Sequence, residues 1–281
     1  MERVPLAVLN PFIAVDDPDD ERLAVFGYND RGLSNRVQRR SDGGEGLFIA
    51  EGDLVVERAL WAGCTPVAAL VDQLRPPPVA AVLAASVPVY AVGEKVRAKV
   101  TKLGVPSSVI AIFQRPARST VAELAGRARR LVMVEAVDNP ANIGAIVRNA
   151  AGLGWDGLVL DSTSADPLAR RSMRVSMGHA VVFPHARTAD TADALRTLAA
   201  AGFVVVALTP RGSLDIADIA GVDEANVPER LVVCMGAERA GLSDAVLDAA
   251  TFRVRIPMSA GIDSLNVAAA TAIACHALRR R

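Results

Sequence analysis

The sequence predicts an α/β protein: a parallel sheet with helices on both faces, preceded by a smaller α/β domain. Three observations carry this expectation. The chain has 281 residues, more than a usual single domain, so two domains are expected. Its residues are 51% hydrophobic, enough for sizeable cores. Short, near-continuous apolar runs alternate with helical periods, the pattern of strands buried on both faces between helices.

In order, residues 47–63 read as a short strand and an amphipathic helix ending at Gly63. Strand-like runs follow at 66–72, 88–93 and 107–115, with helical segments at 77–86 and 94–104 between them. Definition fades at "QRPARST", where Pro116 and polar residues mark a linker. A first domain over 1–115, a linker over 116–127 and a second domain over 128–281 are therefore expected. The second series opens with "LVMVEAV" as a buried strand, then the helix of "NPANIGAIVRNAAG", then the strand "GLVLDS". "DPLARRSMRVSMGHA" reads as one basic helix, and the apolar run "VVFPHA" follows it. Helix "TADALRTLAAAG", strand "FVVVALTP", strand "RLVVCMG", helix "LSDAVLDAA", strand "FRVRIPM" and a closing helix from Ser264 complete it.

Several classes are excluded. The N-terminal apolar run is broken by prolines and lacks a basic leader and cleavage site, so no signal peptide is read there. No stretch approaches the roughly 20 apolar residues of a membrane helix, and a cytoplasmic protein with no membrane partner is expected. Cys64, Cys234 and Cys275 are scattered without C-x-x-C or zinc spacing, and no metal is predicted. The dinucleotide fingerprint, the P-loop and the G-x-S-x-G elbow are all missing.

Net charge is zero, but it is segregated. Residues 1–127 hold 15 Lys+Arg and 15 Asp+Glu, yet "RGLSNRVQRR" contains no acid, nor does the span from Lys95 to Arg118 with its six bases. A charge run is commonly only a solvated face; two acid-free ones are also what a phosphate backbone binds. Arg31, Arg36, Arg39 and Arg40 lie in the first of these runs, Arg170, Arg171 and Arg174 make a further basic group, and all seven are candidate contacts to a phosphate backbone.

Ligands on parallel sheets bind at the carboxyl ends of the strands. Three such exits are rich in Gly, Asn, Ser or carboxylate: "DNPANIG", "AERAGLSD" and "SAGIDSLN". Taken alone, each residue keeps an ordinary reading. Asn142 and Ser264 serve equally as helix N-caps, Glu238 as a solvated carboxylate, and Ile256 and Leu265 as core. Arg148 has Gly144, Ala145, Ala151 and Gly152 as its helical neighbours, a bare setting for a cation.

The ordered motifs "N-x-x-N-I-G-x-x-x-R-N", "M-G-x-E-x-x-G-L-S" and "I-P-M…S-L-N-V-A-x-A", spanning residues 139–270, resemble the SpoU/TrmH family of RNA ribose 2′-O-methyltransferases, of the SPOUT class. "EGDLVVERAL" looks like part of the L30e-like RNA-binding domain that often precedes that catalytic domain. The resemblance implies a C-terminal trefoil knot, S-adenosylmethionine as cofactor, and a homodimer through the C-terminal domain whose active sites draw on both subunits. It implies an RNA substrate, ribosomal in preference to transfer RNA, methylated on a ribose 2′-hydroxyl. Carried over by position, Arg148, Asn142, Glu238, Ser264 and Asn266 would be catalytic. Gly236, Ile256, Met258 and Leu265 would hold the cofactor. Gly261 and Ile262 stand where many members carry more polar residues. The alternatives are an RNA-binding or ribosome-assembly protein that has lost catalysis, and a base-methylating relative.

Overall fold

The computed structural model describes residues 11–40, 42–220, 228–238 and 240–279. The chain forms two compact units, one of residues up to Asn35 with Gly46–Arg115, the other of Arg36–Glu45 with Pro116–Arg281.

In the first unit, β1 (Ile13–Ala14), a 3-10 helix (Glu21–Gly27) and α1 (Asp30–Leu33) precede β2 (Leu47–Glu51) and α2 (Asp53–Trp61). Then come β3 (Pro66–Asp72), α3 (Pro78–Ala84), β4 (Val89–Val92), α4 (Glu94–Thr101) and β5 (Val109–Gln114). The strands lie in the order β1-β4-β3-β5-β2. This sheet is mixed: β5 runs antiparallel to both β2 and β3, so strand–helix alternation here does not produce a purely parallel sheet. Phe48 and Phe113 are cross-strand partners whose rings stack 5.4 Å apart.

The basic run in this unit is partly structural. Arg97 is 3% exposed, donates to Asp72 Oδ2 at 2.8 Å and holds the Ser107 carbonyl at 3.1 Å. Arg115 is buried as well. Buried cations are kept by partners, not offered to a ligand. Lys95, Lys99 and Lys102 remain exposed.

In the second unit, α5 (Val121–Arg127) occupies most of the expected 116–127 linker. Thr120 and Glu123 form a capping box at its start, and Leu124 and Ala125 are buried in the core of this unit. The linker is therefore corrected to a packed helix. There follow β6 (Arg130–Val134), α6 (Pro140–Gly152), β7 (Gly157–Leu160), α7 (Arg170–Val175), α8 (His179–Val182) and β8 (His185–Arg187). Next come α9 (Thr191–Ala200), β9 (Val204–Leu208), β10 (Leu214–Asp215), α10 (Ile216–Ala220), β11 (Leu231–Met235), α11 (Asp244–Ala249), β12 (Phe252–Arg255) and α12 (Val267–Ala277). The strand order is β10-β12-β9-β11-β6-β7-β8, every pair parallel.

One face of this sheet buries Leu131, Met133, Val205 and Val232 against α5, α9 and α11. The alternate residues Val132, Val134, Leu158 and Val233 are buried on the other face, where α6 and α12 pack together. Asn149 donates to the Ala268 carbonyl at 3.0 Å and Trp155 Nε1 to the Cys275 carbonyl at 3.0 Å, fastening α12 to α6 and to the turn after it. The single basic helix expected over 166–180 is instead two short ones, broken where Met177 (φ 55°) and Gly178 (φ 81°) turn left-handed.

Among the described residues no helix is long and apolar enough to cross a membrane, and no cluster of His, Cys, Asp and Glu could hold a metal.

Candidate active site

Three neighbouring strands, β12, β9 and β11, open at their carboxyl ends onto a cavity of about 370 Å³. The β11 exit contributes Gly236 and Glu238; the segment after β12 contributes Ile256, Met258, Asp263, Ser264 and Leu265. Ile256 is half-buried and Leu265 is 38% exposed, so both wall the cavity and neither is plain core.

The first motif meets this cavity through α6. Its N-cap is Asn139, whose Oδ1 accepts from Ala141 N–H at 2.9 Å, which leaves Asn142 free of capping. Asn142 is 8% exposed and donates through Nδ2 to Glu238 Oε1 at 2.8 Å. Asn266 Nδ2 donates both to the same oxygen and to Asn142 Oδ1, each at 3.1 Å. Its own Oδ1 caps α12 by accepting from Ala268 and Ala269 N–H, so the cap is Asn266 and not Ser264. One carboxylate oxygen thus joins residues from all three motifs. Charge-assisted bonds of this kind are about twice as strong as neutral ones and fix the three exits in register.

The β11 exit is compact. Gly241 N–H reaches the Ala237 carbonyl at 2.9 Å, and a Cβ on Gly236 would overlap the backbone of Gly241 and Leu242. Glycine at 236 is required by the loop's own closure.

Arg148 does not join this group. It lies six residues beyond Asn142, roughly 240° around the helix at 3.6 residues per turn. It is exposed, does not line the cavity, and its side chain makes no hydrogen bond or ion pair with another described residue. Its two glycines differ. A Cβ on Gly144 would come within 2.6 Å of the Ser172 carbonyl oxygen and 3.0 Å of its Cα, so α7 lies directly against it. Gly152 faces open space.

The candidate RNA arginines divide. Arg31 belongs to the first unit, whereas Arg36, Arg39 and Arg40 belong to the second. Arg40 donates to the Ser162 carbonyl at 2.8 Å, in the loop after β7. Arg171 and Arg174 are exposed on α7, and Arg170 is half-buried. Arg187 stiffens the β7 exit by holding the carbonyls of Asp161 at 2.6 Å and Ser164 at 3.0 Å; burial pushes its pKa down to about 10. Burial would raise the Asp161 carboxyl, but hydrogen bonds from Ser164, Thr163 and Ala136 outweigh it and hold the group below its ordinary value.

One wall of the cavity lies outside the three sequence motifs. Leu208, Thr209, Pro210 and Arg211, at the β9 exit, line the cavity too. The signal was available, since "LTPRG" follows a strand and ends it with Thr, Pro and Gly. Gly212 is needed there because a Cβ would strike the backbone of Val254 and Arg255. Arg211 and Asp263 bring opposite charges to the cavity, and no side-chain bond from either to another described residue is formed.

Comparison with known proteins agrees with this geometry. Residues 129–276 match the model of the SpoU rRNA Methylase family. An uncharacterized tRNA/rRNA methyltransferase of Mycobacterium bovis is 42% identical over 265 residues, covering 93% of this chain and 90% of its own length. The 23S rRNA (guanosine(2553)-2′-O)-methyltransferase of Bacillus subtilis is 27% identical, over 83% of this chain and 88% of its own. The AdoMet-bound rRNA methyltransferase of Sinorhizobium meliloti superposes with a TM-score of 0.80 at 29% identity, over 96% of this chain and 98% of that one. The matched span contains every element that builds the cavity and the Asn142–Glu238–Asn266 group, and the chain belongs to the SpoU rRNA Methylase family.

Proposed function

We propose that the protein is an S-adenosylmethionine-dependent RNA methyltransferase acting on a ribose 2′-hydroxyl, with ribosomal RNA as substrate in preference to transfer RNA. The observation that carries this reading is the cavity at the β9, β11 and β12 exits with the three-residue polar group at its rim. Its volume lies within the roughly 300–1,000 Å³ of small-molecule sites. Leu208, Met235, Ile256, Met258 and Leu265 give it apolar walls that suit an adenine and a thioether. Arg211 and Asp263 have the charges to meet a carboxylate and an ammonium. The S. meliloti relative supports the same cofactor, and the B. subtilis relative the same position of methylation.

When bound, the cofactor would supply an electrophilic methyl on its sulfonium sulfur, for the ribose 2′-oxygen to take up in line as the sulfur departs as a neutral thioether. The chain's own groups orient and stabilise. Glu238 holds Asn142 and Asn266 so that the segments meeting substrate cannot drift. Arg148 grips a phosphate beside the target ribose and stabilises the developing 2′-alkoxide; a guanidinium is a very poor base. Since Arg148 stands away from the cavity of its own chain, we assign it to the site of a second copy in a homodimer. The trefoil knot belongs to the same proposal. After β12, the segment 256–266 must return from beside β9 to α12, which packs on α6.

The test is transfer of a tritiated methyl group from S-adenosylmethionine to ribosomal and transfer RNA, followed by alkaline hydrolysis. Label in dinucleotides resistant to alkali is expected, in ribosomal RNA. Label released as mononucleotides would indicate base methylation, and no incorporation into any RNA would favour an assembly protein.

A further inference from the structure

A half-buried carboxylate outside the three motifs holds the cavity's central loop at both ends. Glu135 follows β6 directly, beside the end of β11. Its main-chain N–H donates to the Met235 carbonyl at 2.9 Å, where the loop leaves the sheet. Its side chain takes the other end: Ser243 N–H donates to Oε2 at 2.7 Å and Ser243 Oγ to Oε1 at 2.8 Å. Thr191 Oγ1, at the first residue of α9, donates to Oε1 at 3.2 Å. Ser243 in turn caps α11 by accepting from Val246 N–H.

Between those ends lie Gly236, Ala237, Glu238, Ala240, Gly241 and Leu242, all of which line the cavity. One residue therefore closes the ring on which Glu238 stands. A two-oxygen acceptor is what this geometry demands, because two donors from Ser243 approach different oxygens of the same group.

We propose that Glu135 is a positioning residue for cofactor binding: through Ser243 it fixes the loop that forms one cavity wall and carries Glu238. The proposal rests on the cofactor reading given above. Glu135→Gln tests it in the full-length protein, because the amide keeps the shape but turns a donor toward one Ser243 donor. Titration with S-adenosylmethionine is expected to show affinity lowered about tenfold, the scale of one lost hydrogen bond to a charged group. RNA affinity is expected to stay within about twofold of wild type, which a general loss of folding would not spare. Hydrogen–deuterium exchange of residues 236–242, measured without cofactor, is expected to rise several-fold. Ser243→Ala removes one donor at an exposed position, and it is expected to add nothing further in the Glu135→Gln background.

Unchanged cofactor affinity, unchanged loop exchange, or additive effects of the two substitutions would each overturn the proposal. A wild-type protein that binds no S-adenosylmethionine would overturn the cofactor reading instead, and exchange in the loop would still decide the clamp.

Discussion

Arg148 is exposed on α6, with Gly144 under the main chain of Ser172 and Gly152 facing open space. A cation without a side-chain partner among the described residues is suited to an anion from outside its own chain. If a planar, two-pronged donor is what grips the phosphate, Arg148→Lys keeps the charge and loses the function. A fall of about 100-fold or more in methyl transfer is expected, the usual cost of removing one preorganised transition-state donor. Affinity for S-adenosylmethionine should be unchanged, because the partner proposed for Arg148 is a phosphate of the substrate and not the cofactor. Near-full activity of the lysine variant, measured by single-turnover methyl transfer, would show that charge alone suffices. Which polar residues matter was legible at this scale only as a set. The Asn and Ser residues at the strand exits stood out, but the cap positions did not, because an N-cap and a site residue use the same side chains. The backbone decides: Asn139 and Asn266 cap their helices, Asn142 reaches across to Glu238, and Ser264 lines the cavity.

At the scale of elements, α6 is the piece on which the site turns, since it carries Asn142 toward the cavity and packs against both α7 and α12. Its two glycines make opposite predictions. Gly144→Ala would drive a methyl into the Ser172 backbone, which cannot swing aside as a flexible side chain can. Overpacking of this sort costs about 1–3 kcal/mol. Gly152→Ala meets nothing in its own chain, and alanine in place of glycine near a helix end should stabilise by about 0.5–1 kcal/mol. Thermal unfolding separates them, with the first variant melting lower and the second higher than wild type. If Gly152→Ala also melts lower, a partner chain must cover that face. Elements with strong periodicity were readable from sequence, among them α6, β3 at Pro66–Asp72 and β11. Others needed tertiary information. A left-handed turn at Met177 and Gly178 splits one apparent helix into α7 and α8, and apolar spacing carries no sign of it. The spacing of Thr120 and Glu123 fits a capping box, but the linker is read from Pro116 and the polar residues around it, and only the burial of Leu124 in a core makes this segment a packed helix.

For the whole molecule, the decisive question is whether one chain contains a complete site. Within a single chain, Asn142, Glu238 and Asn266 gather at the cavity, and Arg148 stands roughly 240° around α6 from Asn142. A closed two-fold dimer solves this, because an isologous interface presents the same residue to both sites at once. Complementation tests it directly. Arg148→Ala and Asn142→Ala are each expected to abolish methyl transfer as pure proteins. When the two are co-refolded in equal amounts, about half the dimers should be mixed. If Arg148 serves the partner's site, a mixed dimer has one site with both substitutions and one with neither. Activity should then return to about one quarter of wild type, at equal total protein. If Arg148 instead serves the cavity of its own chain, every site in the mixture carries one damaged residue, and activity stays at the level of the separate variants. A quarter of full turnover is far above the residual rate of either substitution, so the mixing experiment alone distinguishes the two arrangements.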